Sequence, residues 1–155
     1  MRIGFGFDAH AFAQERDLWL GGIKIDFPKG LTGHSDADVL IHAICDALLG
    51  AANMRDIGFH FPPSENKYKN IDSKILLRNT VQLLRNAGYE LGNLDATIVA
   101  EQPKLSPYIP QMRKTLAQTM QVPENDISIK ATTTEKLGFA GREEGIAACA
   151  VALIV

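Results

Sequence analysis

The sequence predicts an α+β fold: a single domain in which one mixed β-sheet carries helices on one face. The 155 residues contain no internal repeat, low-complexity tract or Pro/Gly/Ser-rich linker, so one domain over residues 1–155 is expected. The hydrophobic fraction of 46% is sufficient for a packed core. The spacing of the apolar residues predicts the order strand, hairpin, helix, helix, strand, helix, strand, strand along the chain. This order is typical of a sheet that is covered by helices on one face.

Each element is assigned from the period of its apolar residues and from the residues at its ends. The pair Gly21-Gly22 turns the hairpin, Asp36 is the expected N-cap of the first helix, Gly88 ends the second, and Pro107 lies near the start of the third. The expected elements are a strand over residues 3–8, the hairpin over 18–25, helices over 37–52 and 73–87, a strand over 91–100, a helix over 108–120, and strands over 127–132 and 145–155.

The final strand, residues 145–155, is apolar at nearly every position. A strand of this kind is buried on both faces of its sheet. Helices cover only one of those faces, so we expect the other face to contact another subunit.

Composition argues against several classes of partner. The net charge of −2 lacks the basic surplus of a nucleic-acid-binding protein. The longest apolar stretch, residues 146–155, is about half the length of a membrane span, and the first ten residues lack a signal-peptide pattern. Cys45 and Cys149 are isolated and are expected to be free thiols. We therefore expect a cytoplasmic protein, or one of a plastid-type organelle if a transit segment has been removed.

Asp8, His10 and His42 form the strongest candidate metal site. Asp8 and His10 lie two residues apart in a predicted strand, so their side chains leave the same face. His42 lies in the first helix, one turn from Asp38 and Asp46, which are candidates to hold its second ring nitrogen. Two histidines and a carboxylate are a familiar zinc set with a fourth position left for substrate or water. The alternative is a chance Asp-x-His pair and a histidine without a ligand role.

Three further segments suit phosphate or sugar. His34-Ser35-Asp36 precedes the first helix, where N–H groups and the helix dipole favour an anion, although it also fits an ordinary capping sequence. Residues 132–135, Thr-Thr-Thr-Glu, suit a diphosphate with a hard cation, although they also fit a threonine-rich strand end. Arg142 is placed to reach a phosphate from a nearby glycine-rich turn. Asp56 beside Gly58 suits ribose hydroxyl groups or forms an ordinary turn.

Five segments, in this order, resemble the 2-C-methyl-D-erythritol 2,4-cyclodiphosphate synthases over essentially the whole chain. They are RIGFGFDAH, GHSDADVLIHAICDALLGAA, DIG, AEQPKL and KATTTEKLGFAGR. The stretches HSDADVLIH and KATTTEKLGF are the most specific. The resemblance implies a homotrimer with the sheets facing its axis, the helices outside, and the active sites between subunits.

The resemblance also assigns roles to single positions. It implies a Zn²⁺ site at Asp8, His10 and His42, and a Mg²⁺ or Mn²⁺ ion held by Glu135 together with substrate phosphates. The pair that stabilises the transition state matches His34 and Thr133. The contacts with phosphate, sugar and cytosine match Ser35, Asp56, Ile57, Gly58, Phe61, Pro62, Ala100, Pro103, Lys104, Leu105, Ala131, Thr132 and Thr134. The positions near the trimer axis, where an apolar cavity can hold an isoprenoid-like ligand, match Phe139 and Arg142.

A few positions depart from the family pattern. Pro63 stands where the family has an acid that contacts the methylerythritol hydroxyl groups, so that either Glu65 replaces this contact or the contact is lost. Glu101 and Ser106 are also less usual, and Glu143 adds an acid beside Arg142. None of these departures affects the metal set.

The implied activity is the conversion of 4-diphosphocytidyl-2-C-methyl-D-erythritol 2-phosphate into 2-C-methyl-D-erythritol 2,4-cyclodiphosphate with release of CMP. This is a metal-dependent phosphorus–oxygen lyase reaction of the non-mevalonate pathway to isoprenoid precursors. Two alternatives stay open: a zinc-dependent phosphohydrolase, and a catalytically silent nucleotide- or isoprenoid-binding protein of the same fold. A purely structural zinc site would need a fourth protein ligand, for which only His60 is available.

Overall fold

The computed structural model describes all 155 residues and contains seven strands and five α-helices. The strands are β1 (Arg2–Ala13), β2 (Leu18–Leu20), β3 (Ile23–Ile25), β4 (Gly30–Leu31), β5 (Leu91–Val99), β6 (Ile127–Thr132) and β7 (Gly145–Ile154). The helices are α1 (Val39–Ala51), α2 (Ile57–His60), α3 (Ser73–Asn86), α4 (Ile109–Met120) and α5 (Gly138–Gly141). None of the helices combines the length and apolar character that a membrane crossing requires.

Five strands form one mixed sheet in the order β4-β1-β7-β5-β6. β5 and β6 pair in parallel, and every other pair in this sheet is antiparallel. The expected α+β fold with a mixed sheet is therefore confirmed. Because β1 and β5 both run antiparallel to β7, the strands β1, β5 and β6 end at the same edge of the sheet. The candidate site residues follow or lie near the ends of these three strands.

The hairpin of β2 and β3 does not join this sheet, contrary to the single sheet that the sequence suggested. Each of its strands is only three residues long. Its aliphatic side chains, Leu18, Leu20, Ile23 and Ile25, are almost completely buried and belong to the common core of 35 residues. The hairpin is therefore held by packing against the core rather than by pairing with a neighbouring strand.

The two faces of β1 have opposite environments. Gly4 and Gly6 lie against the backbone of α1 and are buried. The residues that alternate with them are exposed, at 71% for Ile3, 64% for Phe5 and 57% for Phe7. The pairing register places Val151 of β7 opposite Phe5, on the same open face. One chain alone therefore leaves a continuous apolar surface exposed on this side of the sheet.

Asp38, and not Asp36, is the N-cap of α1. Ala37 has a positive φ of 60°, which is outside the helical range, so the helix cannot begin at residue 37. The Asp38 carboxylate accepts the N–H of Ile41 and also the N–H groups of Gly21 and Gly22 in the hairpin turn. Complete burial, with a contribution from nearby Asp36, raises the pKa of Asp38 to about 6.

The remaining boundaries agree with the sequence to within one or two residues, except that β1 extends to Ala13. Gly88 has a φ of 81° directly after the C-cap of α3, as expected. Three short elements, β4, α2 and α5, were not predicted because segments of two to four residues are too short to display a period. Both cysteines are free, Cys45 in the core and Cys149 partly buried.

Candidate metal centre and active site

β1 and α1 bring Asp8, His10 and His42 together at a single point. The Asp8 Oδ2 atom lies 2.8 Å from His10 Nε2 and 3.0 Å from His42 Nδ1. The two histidine nitrogens are 3.1 Å apart. All three side chains are partly buried, and together they form a group able to hold a metal ion. The predicted convergence of these residues is therefore confirmed.

The hydrogen bonds around the two rings decide which nitrogen faces the centre with a lone pair. His10 Nδ1 lies 2.6 Å from the carbonyl oxygen of Thr32, which can only accept, so this nitrogen carries the proton. His42 Nε2 lies 3.1 Å from the hydroxyl oxygens of both Ser35 and Ser73. The inner nitrogens of both rings are then free to face Asp8 Oδ2. Three acceptors that converge in this way repel one another unless a cation lies between them.

The pKa shifts of these residues show the effect of a proton, rather than a metal ion, between the carboxylate and the rings. Burial by itself would raise the pKa of Asp8, but hydrogen bonds and charge from His10 and His42 outweigh it and lower that pKa. Burial would lower the pKa of His10, but the hydrogen bond and charge of Asp8, together with the hydrogen bond to the Thr32 carbonyl, outweigh it and raise that pKa. A proton on His10 is thus stabilised at the position that a metal ion would occupy.

The two acids expected to support His42 have other partners. Asp38 is turned toward the hairpin and caps α1, and Asp46 accepts the N–H of Ile57 at 2.8 Å. Both lie within about one turn of His42, but a shared helical face does not bring either carboxylate to its ring. The hydroxyl groups of Ser35 and Ser73 take that place, and Ser73 was not a candidate because it lies 31 residues from His42 in the sequence.

A cavity of about 180 Å³ opens beside the histidines. Of the predicted contact residues, Ser35, Ile57, Gly58 and Phe61 line it, together with His34, whose side chain is exposed there. Tyr68, Ile71 and Leu76 also line the cavity, although no pattern in the sequence pointed to them. The cavity therefore combines polar groups near the metal centre with an apolar end.

Pro63 and Glu65, two residues at which the sequence departs from the family pattern, differ in their position relative to this cavity. Pro63 lines the cavity, whereas Glu65 is paired with Lys67 at 2.6 Å and is not among the lining residues. Asp56 caps α2 by accepting the N–H of Phe59 at 2.9 Å, and Pro62, which precedes Pro63, is partly buried.

The second group of predicted residues lies at the end of β6. Thr133 donates a hydrogen bond to Glu135 at 2.9 Å, and both side chains are exposed. The turn is held by Glu101, which accepts the backbone N–H groups of Thr134 and Lys136 at 3.0 Å each. Glu135 has a positive φ of 52°, so its backbone is in the left-handed region, and Glu101 secures the residues on either side of it.

The residues predicted for the cytosine pocket collect near this same end of β5 and β6. Ala131 pairs with Ile98, and the Ala100 N–H donates to the carbonyl of Thr132 at 3.0 Å. Leu105 is buried, whereas Lys104 is exposed, and Pro103 follows a cis peptide bond.

Phe139 is 40% exposed on α5. Arg142 follows that helix and pairs with Glu144 at 2.8 Å, rather than with the adjacent Glu143.

Within one chain, the metal centre and the turn at residues 132–135 lie far from each other. The strand pairing places Asp8 opposite Ala148, Ala148 opposite Ile98, and Ile98 opposite Ala131. Three steps between neighbouring strands correspond to about 14 Å. The metal centre and the Thr132–Glu135 turn therefore lie at the same edge of the sheet but do not form one site within a single chain.

Comparison with known proteins agrees with the resemblance seen in the sequence. The YgbB family model matches residues 1–155. The chain is 72% identical over 154 residues to the 2-C-methyl-D-erythritol 2,4-cyclodiphosphate synthase of Parabacteroides distasonis, covering 99% of this chain and 96% of that one. It is 67% identical to the synthase of Porphyromonas gingivalis, covering 99% and 95%.

Solved structures give the same result for the fold. The CDP-bound form of a 2C-methyl-D-erythritol-2,4-cyclodiphosphate synthase superimposes with a TM-score of 0.91 at 32% identity, covering 99% of this chain and all of that one. The bifunctional IspDF of Campylobacter jejuni gives a TM-score of 0.95 at 43% identity, and the chain spans 42% of that longer protein. With its metal triad at the sheet edge and these matches over its whole length, the chain belongs to the YgbB family.

Proposed function

We propose that this chain is a 2-C-methyl-D-erythritol 2,4-cyclodiphosphate synthase. It would convert 4-diphosphocytidyl-2-C-methyl-D-erythritol 2-phosphate into the cyclic diphosphate and release CMP. The observation that carries the proposal is the convergence of Asp8, His10 and His42 beside a cavity that also contains His34 and Ser35. Curated relatives up to 72% identical bear the synthase name, and a related structure binds CDP.

Zinc fits the triad by ligand type and by spacing. Two imidazole nitrogens and one carboxylate oxygen form a three-ligand catalytic set that leaves one tetrahedral position open. Bonds of about 2.0–2.2 Å in that geometry separate the ligand atoms by about 3.3 Å. The ligand atoms of Asp8, His10 and His42 are 2.8 to 3.1 Å apart, so a small outward shift would accommodate the ion. When bound, zinc would supply a Lewis acid that polarises a phosphoryl oxygen.

The protein's own residues would position the phosphates and donate hydrogen bonds. The 2-phosphate oxygen attacks the β-phosphorus, and the bond from that phosphorus to the oxygen bridging to the α-phosphate breaks. CMP leaves with the bonding electron pair. His34 and Thr133 would donate to the phosphoryl oxygens as charge shifts onto them, and Ser35 would hold the phosphate against the start of α1. Little covalent chemistry falls to the protein, so alignment of the two phosphates contributes most.

A homotrimer would complete the site from two chains. The metal centre and the turn carrying Thr133 and Glu135 are about 14 Å apart across the sheet of one chain. The exposed face of Ile3, Phe5 and Phe7 is the apolar surface that a subunit interface would bury. With these faces turned toward a common axis, the turn of one subunit would approach the triad of its neighbour. Glu135 would then hold a Mg²⁺ or Mn²⁺ ion with the substrate phosphates.

Product analysis in ¹⁸O-labelled water tests the proposed reaction. We expect equal amounts of CMP and a cyclic diphosphate, neither containing ¹⁸O, because the nucleophile is the substrate's own phosphate. A zinc phosphohydrolase would release CMP and a linear product that contains solvent oxygen. A silent binding protein would release no CMP, although CDP would still bind.

A Glu135→Gln variant tests the second cation and the shared site together. We expect turnover to fall about 10³-fold, with the dependence on added Mg²⁺ lost, because the amide cannot replace a carboxylate ligand. The fold should persist, since the Glu135 side chain is exposed. An unchanged Mg²⁺ titration would remove Glu135 from this role.

Subunit mixing extends the same experiment. His42→Ala and Glu135→Gln chains are each expected to be inactive, and the two are co-refolded in equal amounts. If His42 and Glu135 of different subunits form one site, random trimers should regain about a quarter of wild-type activity. If both residues serve a site within one chain, mixing would restore nothing.

A further inference from the structure

We infer that Ser73, held by Asp36, is a positioning residue that fixes His42 in the tautomer required for metal binding. Neither side chain faces the metal centre directly, and Ser73 lies on α3, which contributes no ligand. The inference rests on the proposed metal centre and adds to it a hydrogen bond between Ser73 and His42 Nε2, the ring nitrogen that does not face Asp8.

The Ser73 hydroxyl group donates its proton to the carboxylate of Asp36. Ser73 is completely buried at the first residue of α3. Its hydroxyl donates to Asp36 Oδ1 at 2.5 Å, and its backbone N–H donates to Asp36 Oδ2 at 2.9 Å. Because the carboxylate can only accept, the direction of the short hydrogen bond is fixed. The lone pairs of the Ser73 oxygen remain available on its other side.

One of those lone pairs faces His42 Nε2 at a distance of 3.1 Å. With a cation at the centre to bind the lone pair of Nδ1, which lies 3.0 Å from Asp8 Oδ2, Nε2 is the nitrogen that carries the hydrogen. In the other tautomer, the lone pair of Nε2 would face the lone pair of the Ser73 oxygen, which is repulsive. Outer hydrogen bonds of this kind set ring orientation and tautomer in metal-binding histidines.

The Ser35 hydroxyl oxygen also lies 3.1 Å from His42 Nε2, but the direction of its hydroxyl proton is not fixed by a carboxylate. It accepts the N–H of Ala37 at 3.1 Å, and its own proton has no carboxylate partner. That proton is able to point toward His42 or toward Ser73 Oγ at 3.4 Å. A hydroxyl that donates to a carboxylate is the stronger acceptor, because the two hydrogen bonds polarise each other. Ser73 is therefore the group that determines the tautomer.

Zinc affinity of three variants, measured by chelator competition at constant pH, tests this role. We expect the dissociation constant of Ser73→Ala to rise about 10- to 100-fold, and that of Asp36→Asn to rise about tenfold. Ser73→Thr keeps the hydroxyl and should stay within about threefold of wild type. Thr80→Ala is the matched control: it removes a fully buried hydroxyl from the same helix, seven residues further along, and should leave zinc affinity unchanged.

A second readout follows the tautomer in the metal-free protein. At a pH where the ring is neutral, ¹⁵N chemical shifts of His42 should report a larger fraction of the Nε2–H tautomer in the wild type than in Ser73→Ala. Wild-type zinc affinity together with an unchanged tautomer fraction in Ser73→Ala would overturn the inference. So would equal loss of zinc affinity in folded Ser73→Thr and Ser73→Ala, since the hydroxyl would then be irrelevant.

The inference and the proposed function fail in different ways. If Ser73→Ala does not fold, Ser73→Thr and Asp36→Asn still decide between the two outcomes by zinc affinity and ¹⁵N shifts. A wild-type protein that binds no zinc would contradict the metal centre itself. In that case a tautomer shift in the Ser73 or Asp36 variants would still support the positioning role, and its absence would contradict that role.

Discussion

His42→Ala should lose its bound zinc and at least about 10³-fold of its CMP release, because the metal supplies several kcal/mol of charge stabilisation to the reaction. Only three side chains converge at the centre, so removing one leaves His10 and Asp8 as a two-ligand site. Loss of an outer hydrogen bond alone costs 10- to 100-fold in metal affinity, so loss of a ligand should exceed about 100-fold. Zinc content after dialysis and CMP release measure the two effects.

His60→Gln is the matched control for that variant. His60 is the one histidine of the four that lies outside the catalytic set, and its Nε2 lies 2.7 Å from the carbonyl oxygen of Met54. A glutamine amide can keep this donor, so zinc content and turnover should match the wild type. Normal turnover by zinc-free His42→Ala would discard the proposed mechanism.

In the wild type, zinc affinity should fall as the pH falls through the raised pKa of His10, because protons compete for that ring.

Gly6→Ala should destabilise the fold by about 4 kcal/mol or more, which only severe core substitutions reach. A Cβ at Gly6 would lie 2.0 Å from the carbonyl oxygen of Ala43 and 2.6 Å from the nitrogen of Ala47, both in the backbone of α1. Backbone atoms cannot move aside as a side chain can, so strand and helix must separate. Urea unfolding at fixed pH measures the loss.

The same substitution should also weaken metal binding. Gly6 lies two residues before Asp8 on β1, and its close contact with α1 sets the distance from Asp8 and His10 to His42. We expect any folded fraction of Gly6→Ala to bind zinc less tightly than the wild type.

Gly50→Ala provides the control for Gly6→Ala. An added Cβ there meets nothing closer than 4.0 Å, and a helical glycine replaced by alanine should gain about 0.5–1 kcal/mol. Equal stability of Gly6→Ala and the wild type would show that the strand–helix contact is not as close as described.

Local patterns in the sequence predicted most of the fold. Alternation over β1 and β5, the apolar period of α3, and the glycine after that helix depend on neighbours two to four residues away, so one segment contains all the information. The period of two also explains why Asp8 and His10 could be placed on one face. The ligand types and the resemblance to the synthases indicated His42 as the third residue of the metal-binding set.

The errors concern contacts between distant segments. Asp36 appeared to be the cap of α1, but it binds Ser73, which is 37 residues away. Asp38 appeared to support His42, but its carboxylate is taken by the N–H groups of Gly21 and Gly22. In each case a short polar side chain has several possible partners, and the sequence gives no reason to choose among them.

Local patterns, and the resemblance to known synthases, were enough to predict the order of the elements, the family, and the residue types that can hold a metal. Distances in the folded chain were needed to show that the inner nitrogens of His10 and His42 both face Asp8, and that the outer ones bind the Thr32 carbonyl and the hydroxyl groups of Ser35 and Ser73. The physical reason is that hydrogen-bond partners for a buried ring come from whichever segments the packed core brings within about 3 Å. That proximity arises from long-range closure of the chain, which no local period records.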